Sequence, residues 1–219
     1  MLETSKHWKN NQHGGKRGSS TDHVLVSLWD NILSNLDDPE NLATTLVGVD
    51  FSKSFSRCSF QEILAAYKEL NASQWCIDMH AAFLTNRRMQ VKVGNILSDP
   101  IMVTGGAVQG SILGVLDQNA VLENIASDFT QPTSKYVDDM TLVENTMRYA
   151  PSIVDFDDGL GKERHTFQAK LTQRTLGKLE DMCEIKGLKL NDSKTQLLSI
   201  SSGRLETRSW IKAKDGTTI

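Results

Sequence analysis

Two adjacent aspartates, Asp138 and Asp139, are the residues whose types and spacing most suggest chemistry. Apolar stretches on both sides predict a β-hairpin over residues 134–144, with the two aspartates forming its turn. Tight hairpin turns favour Asn-Gly or Asp-Gly, and two neighbouring carboxylates repel each other. The pair is therefore an unfavourable choice for a turn alone. Acidic residues are nevertheless common in turns, so an ordinary turn stays open as the alternative interpretation.

A third carboxylate, Asp50, follows a continuous apolar run at 44–49 that predicts a buried strand. An acid at that point either caps the next element or faces a site at the end of a sheet, and taken alone capping is the simpler interpretation. If the strands before Asp50 and after Asp139 are neighbours, three carboxylates meet, which is unfavourable without cations. Oxygen ligands suit Mg²⁺ or Mn²⁺, and paired ions of this kind serve phosphoryl and nucleotidyl transfer.

The elements that must position these residues are predicted from hydrophobic periodicity and capping signals. The first helix begins at about Ser20, with one apolar face formed by Leu25, Leu28, Trp29, Ile32 and Leu36. Further helices are expected at 59–70 (with Ser59 and Glu62 as a capping box), 73–84, 111–129 and 166–186, the last closed by Gly187. A half-buried strand is expected at 89–93 with a hairpin partner at 100–104, a glycine-rich loop at 105–110, an acidic loop at 150–163 and a last strand at 195–201. Together they predict an α+β fold, with one twisted sheet and helices packed on one face.

Composition sets limits on function. The chain has 219 residues and a net charge of −3, which excludes binding to nucleic acid by bulk charge although local basic patches remain possible. Three scattered cysteines without ligand spacing indicate reduced thiols. No apolar leader and no membrane-spanning run is present in the sequence, so we expect a nuclear or cytoplasmic protein that is neither secreted nor membrane-bound.

Four segments, in order, resemble motifs A, B, C and D of the reverse transcriptase palm, most closely that of non-LTR (LINE-type) retrotransposons. They are Val49–Ser56 around Asp50, Gly106–Gly114 with the sequence GAVQGSILG, the YxDD box Tyr136–Asp139, and Gly187–Thr195 with Lys194. Upstream, Gly14–His23 resembles the Gly-Arg-Ser-Thr-like segment that precedes motif A. The resemblance covers about residues 12–201.

The resemblance implies the RRM-like, ferredoxin-like palm of right-hand polymerases with partial fingers. On this basis residues 1–22 are expected to be a flexible partial fingers segment, 23–205 the palm with motifs A–D, and 206–219 a tail. We also expect, from the resemblance, that the chain starts after the early fingers motifs of the family and stops before the primer grip and the thumb.

The resemblance also implies roles for individual residues. Asp50 and Asp138 would hold two Mg²⁺ ions (or Mn²⁺), with Asp139 and the Phe51 carbonyl in support. Lys194 would act as a general acid, although a solvated lysine is an equal alternative. The remaining implied roles concern substrate: Phe55 as the steric gate that excludes a ribose 2′-hydroxyl, and Gln109 and Gly110 as the approach to the nascent base pair. Without the resemblance Phe55 is a core residue and residues 105–110 an ordinary turn. Arg87 could contact a phosphate or simply be a surface charge.

The implied activity is RNA-directed DNA polymerisation, with an RNA template, a DNA primer and dNTPs as partners. Some positions depart from the family pattern: alanine is usual at Ser54, and proline is usual at Val108 and Val115. These departures keep a second interpretation open, a catalytically inactive remnant or nucleic-acid-binding module. A third, the palm of an RNA-dependent RNA polymerase, is disfavoured by Phe55.

Overall fold

The computed structural model describes residues 11–147 and 160–201. The helices are α1 Thr21–Asp37, α2 Ser54–Arg57, α3 Phe60–Glu69, α4 Gln74–Leu84, α5 Ile112–Glu123 and α6 Leu160–Ile185. The strands are β1 Asn41–Val49, β2 Arg88–Met89, β3 Lys92–Val93, β4 Ile96–Leu97, β5 Ile101–Met102, β6 Thr133–Tyr136, β7 Asp139–Met147 and β8 Gln196–Ser201. Among the described residues no helix is long and apolar enough to cross a membrane.

One antiparallel sheet organises the fold, with the strand order β6-β7-β1-β8. Helices α2–α5 connect β1 to β6, and α6 connects β7 to β8, so the chain follows a βαββαβ course. This is the ferredoxin-like arrangement. The predicted fold class is therefore confirmed, and the central pair of the sheet is β1 and β7, the two strands that adjoin the aspartates.

The main core lies on one face of this sheet. Val47 pairs with Leu142 in the ladder, both are fully buried, and they pack with Leu176 and Leu179 of α6. The same cluster takes in α3 and α5. Of the capping box predicted at α3 the structure shows one half, in which the Ser59 hydroxyl accepts the backbone N–H of Glu62. All three cysteines are free, and burial raises the pKa of the Cys58 thiol to about 12.

Helix α1 packs on the opposite face of the sheet, so the prediction of helices on one face is wrong. Side chains alternate along a strand, and Asn145 therefore points away from the core face that carries Leu142. Its side-chain amide donates to the Asn35 Oδ1 atom of α1 over 2.7 Å. The predicted apolar face of α1 is only partly buried: Leu25 is 55% exposed and Trp29 58%.

Three further expectations need correction. The segment at 89–93 is neither one strand nor half-buried: β2 pairs with β5 and β3 with β4 in two short exposed ladders. Helix α5 ends at Glu123 rather than Phe129: residues 124–128 form turns, and Ala126 among them has a φ of +58°, which is outside the helical range. Of the expected loop at 150–163, residues 150–159 lie outside the described residues, and residues 160–163 belong to α6, so the loop prediction is wrong for these four. The expected tail at 206–219 lies entirely outside the described residues.

Candidate active site

The strand register brings the three aspartates to one end of the sheet. The β1–β7 ladder ends at the pair Val49 and Met140, so Asp50 and Asp139 come next on neighbouring strands. The predicted turn is shifted by one residue. Tyr136 pairs with Asp139, and the two turn residues are Val137 and Asp138. The shift makes Asp139 the first residue of β7 and leaves Asp138 at the tip of the hairpin.

Asp50 is held by the segment that follows α6. The Asn191 side-chain amide donates to Asp50 Oδ2 over 2.9 Å, and the Asn191 backbone N–H donates to the Asp50 carbonyl over 2.8 Å. The Lys194 ammonium lies 3.5 Å from the same Oδ2 atom. This ion pair is worth little to stability because the lysine side chain is 68% exposed. Two residues of motif D thus orient and partly neutralise the motif A carboxylate.

Asp138 is held by Ser54, which stands where the family pattern usually has alanine. The Ser54 hydroxyl donates to Asp138 Oδ2 over 3.1 Å, and Ser54 itself is buried. Ser54 begins α2, directly after Lys53, whose φ of +51° turns the chain away from β1. An alanine at this position could not make the bond. No sequence signal other than the departure itself could have pointed to it.

Asp139 is affected by the two carboxylates beside it. Partial burial, followed by the charges of Asp138 and Asp50, raises the pKa of Asp139 above its ordinary value, and Lys194 opposes this effect. Across the described ranges, however, no three His, Cys, Asp or Glu side chains are gathered tightly enough to hold a metal ion as they stand. The donor set fits a hard divalent cation, because it consists of carboxylate oxygens that repel one another until a cation joins them.

The motif A turn is also joined to the glycine-rich loop. The Ala107 backbone N–H donates to the Phe55 carbonyl over 2.8 Å, and the Gly106 N–H donates to the Cys58 carbonyl over 2.7 Å. The Arg87 guanidinium donates to the Gly106 carbonyl over 2.8 Å. Arg87 therefore supports this loop from within the protein, which neither of its predicted roles included.

The substrate residues that the sequence suggested lie around this loop. Phe55 is half-buried and packs against the main core, so its ring serves the core whatever else it does. The Phe51 side chain is buried, and its backbone pairs with Leu190. Gln109 and Gly110 are exposed, and Gly110 has a φ of +86° with open space where a Cβ would stand. Glycine is needed there for its backbone conformation, not for room.

An antiparallel ferredoxin-like sheet with two acidic strand ends side by side defines the palm of a right-hand polymerase. The sequence matches the family described as reverse transcriptase (RNA-dependent DNA polymerase) over residues 1–214, and the chain belongs to this family. It is also similar to a probable RNA-directed DNA polymerase from transposon BS of Drosophila melanogaster. The identity is 30% over 105 residues, which is 48% of this chain and 11% of that protein.

Solved structures of telomerase share the fold. The telomerase of Candida tropicalis, solved with a TWJ fragment of telomeric RNA, superposes with a TM-score of 0.64 at 11% identity. The alignment covers 92% of this chain and 32% of that one. The Candida albicans telomerase gives a TM-score of 0.56 at 12% identity, covering 98% and 36%. The predicted resemblance to reverse transcriptases is confirmed, and this chain spans about a third of the telomerase chains that it matches.

Proposed function

We propose that this chain is the palm of an RNA-directed DNA polymerase that adds dNTPs to the 3′-hydroxyl of a DNA primer on an RNA template. The observation that carries the proposal is the meeting of Asp50 with the Asp138–Asp139 pair at one sheet end. The raised pKa of Asp139, caused in part by Asp138 and Asp50, agrees with it. Membership of the reverse transcriptase family and likeness to a transposon-encoded polymerase support the same activity.

Asp50 and Asp138 would hold two Mg²⁺ ions, or Mn²⁺, with Asp139 and the Phe51 carbonyl completing the oxygen ligands. When bound, such ions lower the pKa of the primer hydroxyl and stabilise the negative charge on the departing pyrophosphate. In the transfer, the primer 3′-hydroxyl gives up its proton to solvent water, its oxygen bonds to the α-phosphorus, and the bond from that phosphorus to the β-bridging oxygen breaks. Lys194, whose ammonium lies 3.5 Å from Asp50 Oδ2, would donate a proton to the leaving pyrophosphate.

Phe55 is proposed as the residue that selects deoxyribose. Its backbone carbonyl accepts the Ala107 N–H, and this bond holds the Phe55 backbone beside the glycine-rich loop that contains Gln109 and Gly110. A Phe55→Ala variant should incorporate ribonucleotides more readily, relative to dNTPs, than wild type. If the variant stays folded and its preference is unchanged, the ring is only a core residue. Wild-type chain that prefers ribonucleotides would instead favour the RNA polymerase alternative.

The direct test is primer extension on an RNA template with Mg²⁺ or Mn²⁺. We expect extension by wild type and its loss in Asp138→Asn. The matched control is Asp99→Asn, which removes an exposed carboxylate from the loop between β4 and β5 and should extend like wild type. Template binding without extension, identical in wild type and Asp138→Asn, would instead indicate the inactive binding module. Because the chain spans a third of its telomerase relatives, the assay should include the chain alone and the chain with its natural flanking sequence.

A further inference from the structure

The hairpin tip that carries Asp138 has an unfavourable backbone. Val137 adopts a φ of +57°, in the left-handed region that β-branched residues avoid. Asparagine or glycine would take this conformation readily. Something outside the hairpin must therefore hold Val137, because the orientation of the next two residues, Asp138 and Asp139, follows from its backbone angles.

The side-chain amide of Gln12 supplies this contact. Its Oε1 atom accepts the backbone N–H of Val137 over 2.9 Å, and its Nε2 atom donates to the Val137 carbonyl over 3.1 Å. The same Oε1 accepts the N–H of Gly14 over 2.9 Å. Gln12 is 1% exposed, so water has little access to its side-chain amide. One buried amide thus satisfies both peptide groups of the strained residue.

Gln12 is itself fixed from both sides. The Lys135 N–H donates to the Asn11 carbonyl over 2.7 Å, and the His13 N–H donates to the Lys135 carbonyl over 2.9 Å, so this segment runs alongside β6. The Asn119 amide of α5 donates to the Gly14 carbonyl over 2.8 Å. These bonds leave Gln12 little freedom to move away from the turn.

Gly14 makes the close approach possible. A Cβ atom at Gly14 would stand 2.5 Å from the Val137 nitrogen and 2.6 Å from its Cγ2 atom. Both distances are shorter than real Cβ contacts allow, and the nitrogen belongs to the backbone. The segment is therefore shaped to lie directly against the hairpin tip.

We propose that Gln12 is a positioning residue of the active site: its amide holds Val137 in the left-handed conformation and thereby sets the positions of the Asp138 and Asp139 carboxylates. The inference rests on the proposed function in one respect: its expected consequence is a change in the binding of a divalent metal. It does not rest on that function for its mechanism, because the hold on Val137 can be measured without metal or substrate.

The test combines two measurements on the full chain. Gln12→Ala should lose hydrogen-exchange protection at the Val137 amide and bind Mn²⁺ about tenfold more weakly, a usual loss for groups that orient metal ligands. The diagnostic variant is Gln12→Ala combined with Val137→Gly. Glycine adopts a positive φ without help, so the double variant should recover most of the Mn²⁺ affinity. Gln61→Ala, at an exposed position of α3, is the matched control and should behave as wild type.

The outcomes separate the two proposals. If Asp138→Asn binds Mn²⁺ as well as wild type, the proposed function fails, while exchange at Val137 still decides the role of Gln12. If Gln12→Ala keeps both the protection and the affinity, the positioning role is refuted. Should Gln12→Ala fail to fold, the comparison is made between Val137→Gly alone and Val137→Gly combined with Gln12→Ala. If adding Val137→Gly to Gln12→Ala restores none of the Mn²⁺ affinity, Gln12 serves only the general packing of the N-terminal segment and the inference is overturned.

Discussion

Replacing Gly114 with alanine tests how tightly the glycine-rich loop is fitted to α5. A Cβ at this position would stand 2.0 Å from the Val108 carbonyl oxygen and 2.6 Å from its carbon. Ordinary contact begins near 3.4 Å, and both atoms are backbone, so no side-chain rotation can relieve the overlap. Either the first turn of α5 or the loop that carries Gln109 and Gly110 must move.

That movement breaks a local set of hydrogen bonds. The Val108 carbonyl accepts the Ser111 N–H over 3.1 Å and the Ser111 hydroxyl over 2.8 Å. The same hydroxyl accepts the N–H of Gly114 over 2.9 Å, which caps the helix. Overpacking costs about 1–3 kcal/mol and a lost cap about 1 kcal/mol, while alanine regains about 1 kcal/mol of helix propensity. We expect Gly114→Ala to lower the free energy of unfolding by about 1–3 kcal/mol.

Gly177 offers a matched control, because it is also a helical glycine but has nothing within 4 Å of its Cβ position. Gly177→Ala should raise the free energy of unfolding by up to about 1 kcal/mol. Thermal and urea denaturation of both variants measure the difference, with each kcal/mol worth roughly 2–4 °C in Tm. A Gly114→Ala chain as stable as Gly177→Ala would refute the close fit between loop and helix.

Three further predictions concern the carboxylates and the core. The raised pKa means that Asp139 binds a proton more readily in the folded chain than in the unfolded chain. Protonation of Asp139 therefore stabilises the fold, and this stabilisation is lost as the pH rises from the ordinary pKa of 3.8 through the raised pKa. In EDTA, the melting temperature of Asp139→Asn should therefore exceed that of wild type by a margin that grows over this pH range and stays constant above it, and a margin that does not change with pH would contradict this. Ser54→Ala removes the hydroxyl bond to Asp138 and should weaken Mn²⁺ binding about tenfold with unchanged Tm; equal affinity in a titration would exclude a role for the hydroxyl. Tyr67→Phe removes the bond from Tyr67 to the buried Asp117 and should cost about 1–3 kcal/mol in urea denaturation, whereas an unchanged midpoint would show that the bond contributes nothing.

The elements that local signals specify were predictable from sequence. Ser59 caps α3 where the sequence indicated, and Ser73 caps α4 at the expected start of that helix, because an N-cap hydroxyl accepts a backbone N–H from only two or three residues away. β1 was predictable because a continuous apolar run is typical of a strand buried at the centre of a sheet, which is where β1 lies. The chain order of the acidic segments, together with the family resemblance, was enough to predict that Asp50 and the aspartate pair meet.

The errors arise where distant residues decide the local structure. Nothing in the sequence around Val137 indicates a positive φ, and the hairpin tip shifts because Gln12 and Gly14 pack against it from far along the chain. Trp29 looked like a core residue from its helical spacing, yet α1 covers the second face of the sheet and leaves it 58% exposed. Periodicity shows that a helix has an apolar side, but it does not show which surface that side meets.

The site is assembled from segments that lie far apart in the chain. Asp50 is oriented by Asn191 from the segment after α6, Asp138 by Ser54 from α2, and Asp139 through the hairpin tip that the N-terminal segment contacts. Each bond is one of many that hold its own segment, so losing any one of them should leave the sheet intact. The three carboxylates repel, however, and their spacing depends on all of these bonds together. We therefore expect Mn²⁺ binding to be more sensitive than stability to the loss of any one of these bonds, which makes a binding titration the sharper test of how they orient the carboxylates.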